Sequence, residues 1–275
     1  NGHGGGMYNY ASAPTVTNTT FLYNKAGFSG GGMANYYSYD GSHPTITNTT
    51  FSYNTSGNYG GGMYNNNSSN PIITNTTFSY NTAISGGGGM YNDSSDLMIK
   101  NSLFWENLKN GLNSVSGADI ENSYSSYPPT VSYCLTQANS DYSSETGIIN
   151  NQNPLFVDAV NGDFSLLGCS PAINVGTTVS DATDILGNPR VGIVDMGAYE
   201  YQVEITVSAP TVTQPTCIVS TGKIIVNATT TTGTLQYSID DGATYQPSNT
   251  FTGLAAGNYT ISVREQGSSC TETYS

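Results

Sequence analysis

The sequence predicts an all-β chain, a right-handed parallel β-helix followed by a small β-sandwich, and three observations carry the prediction. A glycine run closed by Met recurs at Met7, Met33, Met63 and Met90, in steps of 26, 30 and 27 residues. A Phe-x-x-Asn box recurs in phase at Phe21–Asn24, Phe51–Asn54, Phe78–Asn81 and Phe104–Asn107, in steps of 30, 27 and 26. After Tyr201 the periodicity stops and short alternating segments begin.

Self-similarity at a fixed period of about 20–50 residues marks a solenoid, in which each unit buries its apolar face against its neighbours. The segments leading to each Phe read Pro-Thr-Val-Thr-Asn-Thr-Thr-Phe, Pro-Thr-Ile-Thr-Asn-Thr-Thr-Phe and Pro-Ile-Ile-Thr-Asn-Thr-Thr-Phe. Their β-branched, near-alternating content specifies strands. The glycine triplets and Asn/Ser clusters between them suit bends and would break helices. Short strands joined by bends, at this repeat length, make one turn of a parallel β-helix.

In such a fold equivalent positions of successive coils lie one strand spacing apart, so each column of the repeat becomes a ladder. The inward ladders expected are Val16, Ile46, Ile73 and Ile99; Phe21, Phe51, Phe78 and Phe104; and Met7, Met33, Met63 and Met90. Asn18, Asn48, Asn75 and Asn101 are expected to form an amide ladder at one corner, and Asn24, Asn54, Asn81 and Asn107 another at the next. The first three of the Asn18 column also begin glycosylation sequons, but a repeat-locked Asn is better explained by the ladder. The runs at Gly30–Gly32, Gly60–Gly62 and Gly86–Gly89 read as tight corners, because no Lys-Ser/Thr follows to make a phosphate cradle.

The organisation expected is coils over 1–152, a C-terminal cap over 153–201 and a separate module over 202–275. The fifth coil is degenerate: Ala118–Asn122 stands where Gly-Gly-Met-Tyr-Asn stood, and Val131–Leu135 in the Thr-Ile-Thr-Asn-Thr slot. From Asn153 the text changes to Asn-Pro-Leu-Phe-Val-Asp, Gly187-Asn188-Pro189-Arg190 and Val194–Glu200 boxes, read as the cap. In the last part, Glu204–Ser208, Lys223–Thr229, Leu235–Ile239 and Tyr259–Val263 alternate like strands of a small sandwich, with Asp240-Asp241-Gly242 as a turn.

Only 9% of residues are charged, against about 25% in ordinary soluble proteins. The net charge is −13, and the six cations, Lys25, Lys100, Lys109, Arg190, Lys223 and Arg264, are scattered. Nucleic acid and anionic polysaccharide are therefore disfavoured as partners. No run approaches 18 apolar residues, so membrane insertion of this segment is not expected. Cys134, Cys169, Cys217 and Cys270 contain no Cys-x-x-Cys pair. Disulfides Cys217–Cys270 and Cys134–Cys169 are expected, with four buried free thiols as the alternative.

Several boxes resemble known surface proteins. The Gly-Gly-x-Met and Phe-x-x-Asn boxes resemble the polymorphic outer-membrane-protein repeats of bacterial autotransported adhesins, with Met where that family prefers Ala followed by an aliphatic residue. The block Asn153–Tyr201 resembles the end of the choice-of-anchor Q type of bacterial surface β-helix. Gln214–Cys217, Tyr237–Tyr245 and Phe251–Tyr259 resemble the SprB-type repeat of gliding-bacterium adhesins. That last resemblance implies an Ig-like module, carried in tandem on long secreted proteins exported by the type IX route. Together the resemblances imply an extracellular location at a bacterial cell surface. Asn1–Met7 reads like the end of an inter-repeat bend, and the final module stops without a sorting domain. Further modules of the same polypeptide are expected on both sides.

Three function classes follow: a non-enzymatic adhesin or stalk, a self-assembling filament subunit, and a carbohydrate-active lyase or hydrolase. A glycosidase needs two carboxylates about 5–9.5 Å apart across a groove. The acids of the regular coils, Asp40, Asp93, Asp96 and Glu106, share no repeat column. His3 and His43 sit in bends and read as structural. No cofactor is expected; Asp181, Asp184, Asp195 and Glu200 are the acids that could hold Ca²⁺, without the alternating loop of a strong site. The expectation is a non-enzyme whose bends present Tyr36, Tyr37, Tyr39 and Tyr59 to a surface glycan or protein ligand. The competing reading is that Tyr8, Tyr64 and Tyr91 merely cover a ladder flank, with Ala34 replacing them once.

Overall fold

The computed structural model describes residues 2–36, 43–123, 129–137, 142, 145–202, 205–218, 220–231, 233–266, 268 and 270–274. These form two compact units, Asn1–Leu166 with Ser170–Glu200, and Leu167–Cys169 with Tyr201–Ser275.

In the first unit each of the first four coils contributes one short strand to each of four parallel sheets, and the fifth to three of them. Sheet A stacks Met7–Tyr10, Met33–Tyr36, Met63–Asn66, Met90–Asp93 and Ile120–Ser123. Sheet B stacks Thr15–Thr17, Thr45–Thr47, Ile72–Thr74, Met98–Lys100 and Thr130–Ser132. Sheet C stacks Thr20–Leu22, Thr50–Ser52, Thr77–Ser79, Leu103–Trp105, Leu135–Thr136 and Ile149–Asn150, and sheet D the two-residue strands from Lys25–Ala26 to Leu108–Lys109. The pairing register equals the repeat alignment: Met33 opposes Met7 and Met63, Ile73 opposes Ile46 and Ile99, and Phe78 opposes Phe51 and Phe104. In the fifth coil Ile120 opposes Met90, as aligned, but Val131 opposes Ile99. The slot there begins at Thr130, one residue earlier than the sequence alignment placed it.

Corners explain the polar punctuation. Gly30, Gly60 and Gly87 take φ of 70°, 63° and 60°, and a side chain on Gly61 would lie 2.4 Å from the Gly88 carbonyl oxygen. Two further corners place non-glycine residues in the left-handed region: Asn18, Asn48, Asn75 and Asn101 at 46–49°, and Tyr23, Tyr53, Tyr80 and Glu106 at 55–57°. Asn tolerates this conformation, whereas for Tyr it is an outlier held by surrounding contacts. Stacking supplies part of that hold, with Tyr53 5.1 Å from Tyr23 and 5.0 Å from Tyr80 between ring centroids.

Inside the tube the Phe rings pile in one column, 4.6, 4.7 and 4.8 Å apart and within 3° of parallel. The Asn24 column forms an amide ladder: Asn24, Asn54 and Asn81 each donate from Nδ2 to Oδ1 of the next coil's Asn, at 2.9, 2.9 and 3.0 Å. A second ladder that the sequence analysis did not single out runs through Asn9, Asn35, Asn65, Asn92 and Asn122, at 2.7–2.8 Å. The expected ladder of Asn18, Asn48, Asn75 and Asn101 is not one. These residues turn a corner with their side chains outward, and Asn48 and Asn101 give their amides to Thr183 and Thr177. Asn48 and Asn75 are buried, which also removes the sequon reading there.

The segment expected to cap the solenoid instead lies along its flank as a strap. Outward positions of sheet C change from Thr20, Thr50 and Thr77 to Leu103, Leu135 and Ile149. That apolar outer face needs cover, and Leu166, Ala172 and Met196 pack on it. Ala198 N–H donates to Thr77 Oγ1 at 3.0 Å, Gly197 N–H to the Asn101 carbonyl at 2.8 Å, and Tyr53 Oη to the Ala159 carbonyl at 2.9 Å. Arg190 locks the strap: its Nη1 is 2.9 Å from Glu200 Oε2, and Nη2 donates to Asn48 Oδ1 at 3.0 Å.

The second unit is a pair of three-stranded antiparallel sheets, Ile205–Thr213, Gly222–Thr230 and Thr250–Leu254 against Leu235–Ser238, Ile261–Glu265 and Glu272–Tyr274. Ile224, Val226, Leu235, Ile261 and Val263 form its core. Cys169 bonds Cys270 within this unit, in place of the expected Cys217–Cys270 and Cys134–Cys169 pairs; Cys217 is free and exposed. Cys134 is free for a local reason. It occupies the column of Thr19, Thr49, Thr76 and Ser102, whose hydroxyls each donate to the carbonyl two residues back, and its Sγ does the same to Ser132 at 3.2 Å. Among the described residues no helix is long and apolar enough to cross a membrane.

Candidate functional site

The outer face of sheet A carries the site. Because side chains alternate along a strand, the inward Met and Asn columns leave two columns facing out. These are Tyr8, Ala34, Tyr64, Tyr91 and Glu121, and Tyr10, Tyr36, Asn66, Asp93 and Ser123. Ala34 is the small member, and the Tyr36 ring fits beside it, 5.6 Å from Tyr8 and 5.4 Å from Tyr64 between centroids. Tyr64 lies 5.8 Å from Tyr91, and Tyr59 folds in from the neighbouring bend to 4.4 Å from Tyr91. At the other end His3 stands 4.9 Å from Tyr36 and 5.0 Å from Phe28, with its Nδ1 2.7 Å from Tyr36 Oη.

The result is a continuous run of rings, Phe28, His3, Tyr36, Tyr64, Tyr91 and Tyr59, graded in exposure. Tyr64 and Tyr91 are buried, Tyr36 and Tyr59 intermediate, while Tyr8 and Phe28 are 49% and 50% exposed. Polar groups edge the run. Asn66 Nδ2 donates to Tyr64 Oη at 3.1 Å and to Asp93 Oδ2 at 3.0 Å, and Glu121 accepts from Gly87 N–H at 3.0 Å while pairing Lys109 at 2.9 Å. Burial, reinforced by neighbouring phenols and Asp93, holds the Tyr36 and Tyr64 hydroxyls above the usual phenol range, and burial does the same for Tyr91. Burial lowers the His3 pKa. At neutral pH the platform therefore offers neutral hydroxyls and ring faces.

Of the four tyrosines singled out in the sequence, Tyr36 and Tyr59 lie in this platform; Tyr37 and Tyr39 are outside the described residues. Tyr8, Tyr64 and Tyr91, which the sequence suggests as a mere ladder cover, belong to the same surface. His3 and Phe28 were not among the candidates. Their signal is weak, since a bend residue reaches a ring only through the path of its loop.

Five of the remaining acids are committed to the scaffold. Asp184 accepts from the N–H groups of Leu186, Asn188 and Glu200 at 2.8–3.1 Å, and Asp195 accepts from Asn174 N–H at 2.7 Å. Glu200 holds Arg190 and accepts from Val191 and Asp195 N–H. Glu106 accepts from Gln137 Nε2 at 3.2 Å and pairs with Asn113. Asp119 ends the Asn24 ladder, accepting from Asn107 Nδ2 at 3.0 Å and Gln137 N–H at 2.8 Å. Its carboxyl is buried, and desolvation raises it to about 6 in spite of those two donors. Asp40 is outside the described residues.

A family model described as a right handed beta helix region matches residues 7–170. The chain belongs to the right-handed β-helix family. The match takes in all the coils and the start of the strap. Among curated proteins no sequence matches the chain. A β-helix is a scaffold on which the chemistry lives in grafted sites, and the candidate site on this one is the aromatic face of sheet A.

Proposed function

We propose that this chain is a segment of a non-enzymatic bacterial surface adhesin. In this reading the β-helix is a stiff stalk, the C-terminal sandwich is an Ig-like SprB-type module, and sheet A carries the adhesive flank. The observation behind it is the run of rings from Phe28 to Tyr59, graded from exposed to buried and edged by Asn66, Asp93 and Glu121. Ring faces pack on the apolar C–H face of a pyranose, and the surrounding amide, hydroxyl and carboxylate groups hydrogen-bond its hydroxyls. A neutral glycan is the ligand class this combination favours. The scaffold duties of Glu106, Asp119, Asp184 and Glu200 support the non-enzymatic reading, and the Cys169–Cys270 disulfide supports an oxidising, extracellular compartment.

Glycan-array binding by the purified chain tests the proposal. Binding that is lost in Tyr36→Ala and Tyr59→Ala, at a melting temperature within a few degrees of the parent, supports it. Binding retained in both variants overturns the assignment of the flank, and depolymerisation of a bound polysaccharide overturns the non-enzymatic reading.

A further inference from the structure

Within the run of rings, His3 is the member whose charge changes near neutral pH. Its imidazole lies edge-on to Phe28 and Tyr36, at 5.0 and 4.9 Å between centroids. Tyr64 is 6.2 Å away and 29° from parallel, and Tyr8 6.4 Å away. Nδ1 stands 2.7 Å from Tyr36 Oη, closer than Nε2 at 3.3 Å. The titratable groups facing His3 are therefore the phenols of Tyr8, Tyr36 and Tyr64, one from each of the first three strands of sheet A. The bend that carries it, residues 2–6, has no other ionisable side chain. Among the described residues no carboxylate pairs with the imidazole. Asp93, which acts on Tyr36 and Tyr64, is hydrogen-bonded to Asn66.

With the imidazole neutral and its proton on Nε2, Nδ1 accepts the Tyr36 hydroxyl proton, and the Oη lone pairs are left to accept from a ligand. Protonation makes both ring nitrogens donors. Nδ1–H then donates to Oη, the phenol proton turns away from His3, and an acceptor on the flank becomes a donor. The new positive charge must also be held among aromatic rings. Attraction to ring faces offsets part of that cost, but burial prevails and holds the imidazole below its usual value of 6.5. A ligand laid over Tyr36 strips more water from His3 and raises the cost of the charge further.

We propose that His3 gates the aromatic flank by pH: the flank holds its glycan while His3 is neutral and loses affinity as His3 takes up a proton. The gate rests on the reading of sheet A as the binding flank. Linkage fixes its sign. A ligand that favours the neutral imidazole lowers the His3 pKa in the complex, so binding expels a proton and affinity falls as pH drops through the value of the free chain. The fall expected between pH 7 and pH 5 is about four- to tenfold.

Calorimetry on the whole chain, with cellohexaose, maltohexaose and mannohexaose at pH 7 and pH 5, tests the gate. An affinity ratio between the two pH values of about three or more, kept in the exposed control His43→Gln and brought close to one in His3→Gln, supports it. Asp119→Asn is a second control, because the Asp119 carboxyl, raised to about 6, titrates in the same window. A ratio that disappears in Asp119→Asn and survives in His3→Gln assigns the effect to the scaffold and overturns the gate. The His3 ring protons, assigned by their loss in His3→Gln, are expected to titrate below 6.5 in NMR spectra and lower still with bound hexaose. A titration that bound hexaose leaves unmoved, or equal affinity at both pH values, overturns the gate and leaves the flank standing. Absence of binding at both pH values, to the hexaoses and on the glycan array, removes the flank reading and the gate with it.

Discussion

The Oδ1 atom of Asn81 accepts twice from Asn54, from the side-chain Nδ2 at 2.9 Å and from the backbone N–H at 3.1 Å. Its own Nδ2 donates to Asn107 Oδ1 at 3.0 Å and to the Phe51 carbonyl at 2.8 Å. Asn81→Ala therefore removes four hydrogen bonds in a water-free interior and leaves the Asn54 backbone N–H without its acceptor, while Asn54 Nδ2 keeps the Phe21 carbonyl and Asn107 Oδ1 keeps the residue 81 N–H. At about 1–3 kcal/mol for an unsatisfied buried group, the loss is expected to be on the order of 3 kcal/mol or more. Asn24, half-buried in the same row, donates to Asn54 and accepts from no Asn side chain among the described residues. Asn24→Ala should cost less than half as much. Urea midpoints of the two variants measure the difference, and equal losses would show that the ladder contributes little.

Phe78 sits fully buried between Phe51 and Phe104, 4.7 and 4.8 Å from their ring centres. Phe78→Ala is expected to cost about 3–5 kcal/mol through lost burial and the cavity left behind. Because a solenoid is held by nearest-neighbour contacts, Phe78→Ala and Phe51→Ala should be coupled by roughly 0.5–1.5 kcal/mol. A double-mutant cycle with urea denaturation reads the coupling. Strict additivity of the two losses would contradict direct ring stacking.

What the sequence made legible was whatever repeats. Phe, Met and aliphatic columns recur in phase, and stacking turns phase into contact, so the inner surface could be written down residue by residue. The Asn9 ladder is just as available, since Asn9 lies two positions after the inward Met7 and a strand alternates, but Asn in a strand reads as surface. The strap was hidden because its partners are remote and aperiodic, with Ala198 meeting Thr77 across 121 positions. Its one sequence signal is the change from Thr50 and Thr77 to Leu103 and Leu135 at an outward position. The aromatic flank was half legible: the Tyr after each Met must face outward, but His3 and Phe28 join it only through the course of a bend.

Pairing Cys169 with Cys270 leaves Cys134 and Cys217 as thiols. Burial pushes the Cys134 thiol up to about 12, so in the native protein it should resist modification, whereas exposed Cys217 should react at once. Thiol titration is expected to give one fast equivalent in the folded chain, two after unfolding without reductant, and four after reduction. No thiol in the unfolded, unreduced chain would restore the two-disulfide arrangement expected from the sequence.

Asp119 gives the fold a pH dependence of a definite sign. Its folded pKa of about 6 lies above the ordinary carboxyl value of 3.8, because desolvation outweighs the donors from Asn107 and Gln137. Between these two values the folded state binds more protons than the unfolded one, so stability falls as pH rises through the window. The gap between these two values corresponds to on the order of 3 kcal/mol lost by pH 7 relative to pH 4. Asp119→Asn cannot ionise and should lack this component, at the cost of turning one amide donor toward Gln137 N–H if its oxygen stays with Asn107. The difference in urea midpoint between parent and Asp119→Asn, followed from pH 4 to 7, isolates the group from other titrations. The parent should lose stability relative to the variant across that range, with the steepest change between pH 4 and 6. A constant difference would mean that Asp119 titrates alike in the folded and unfolded chain.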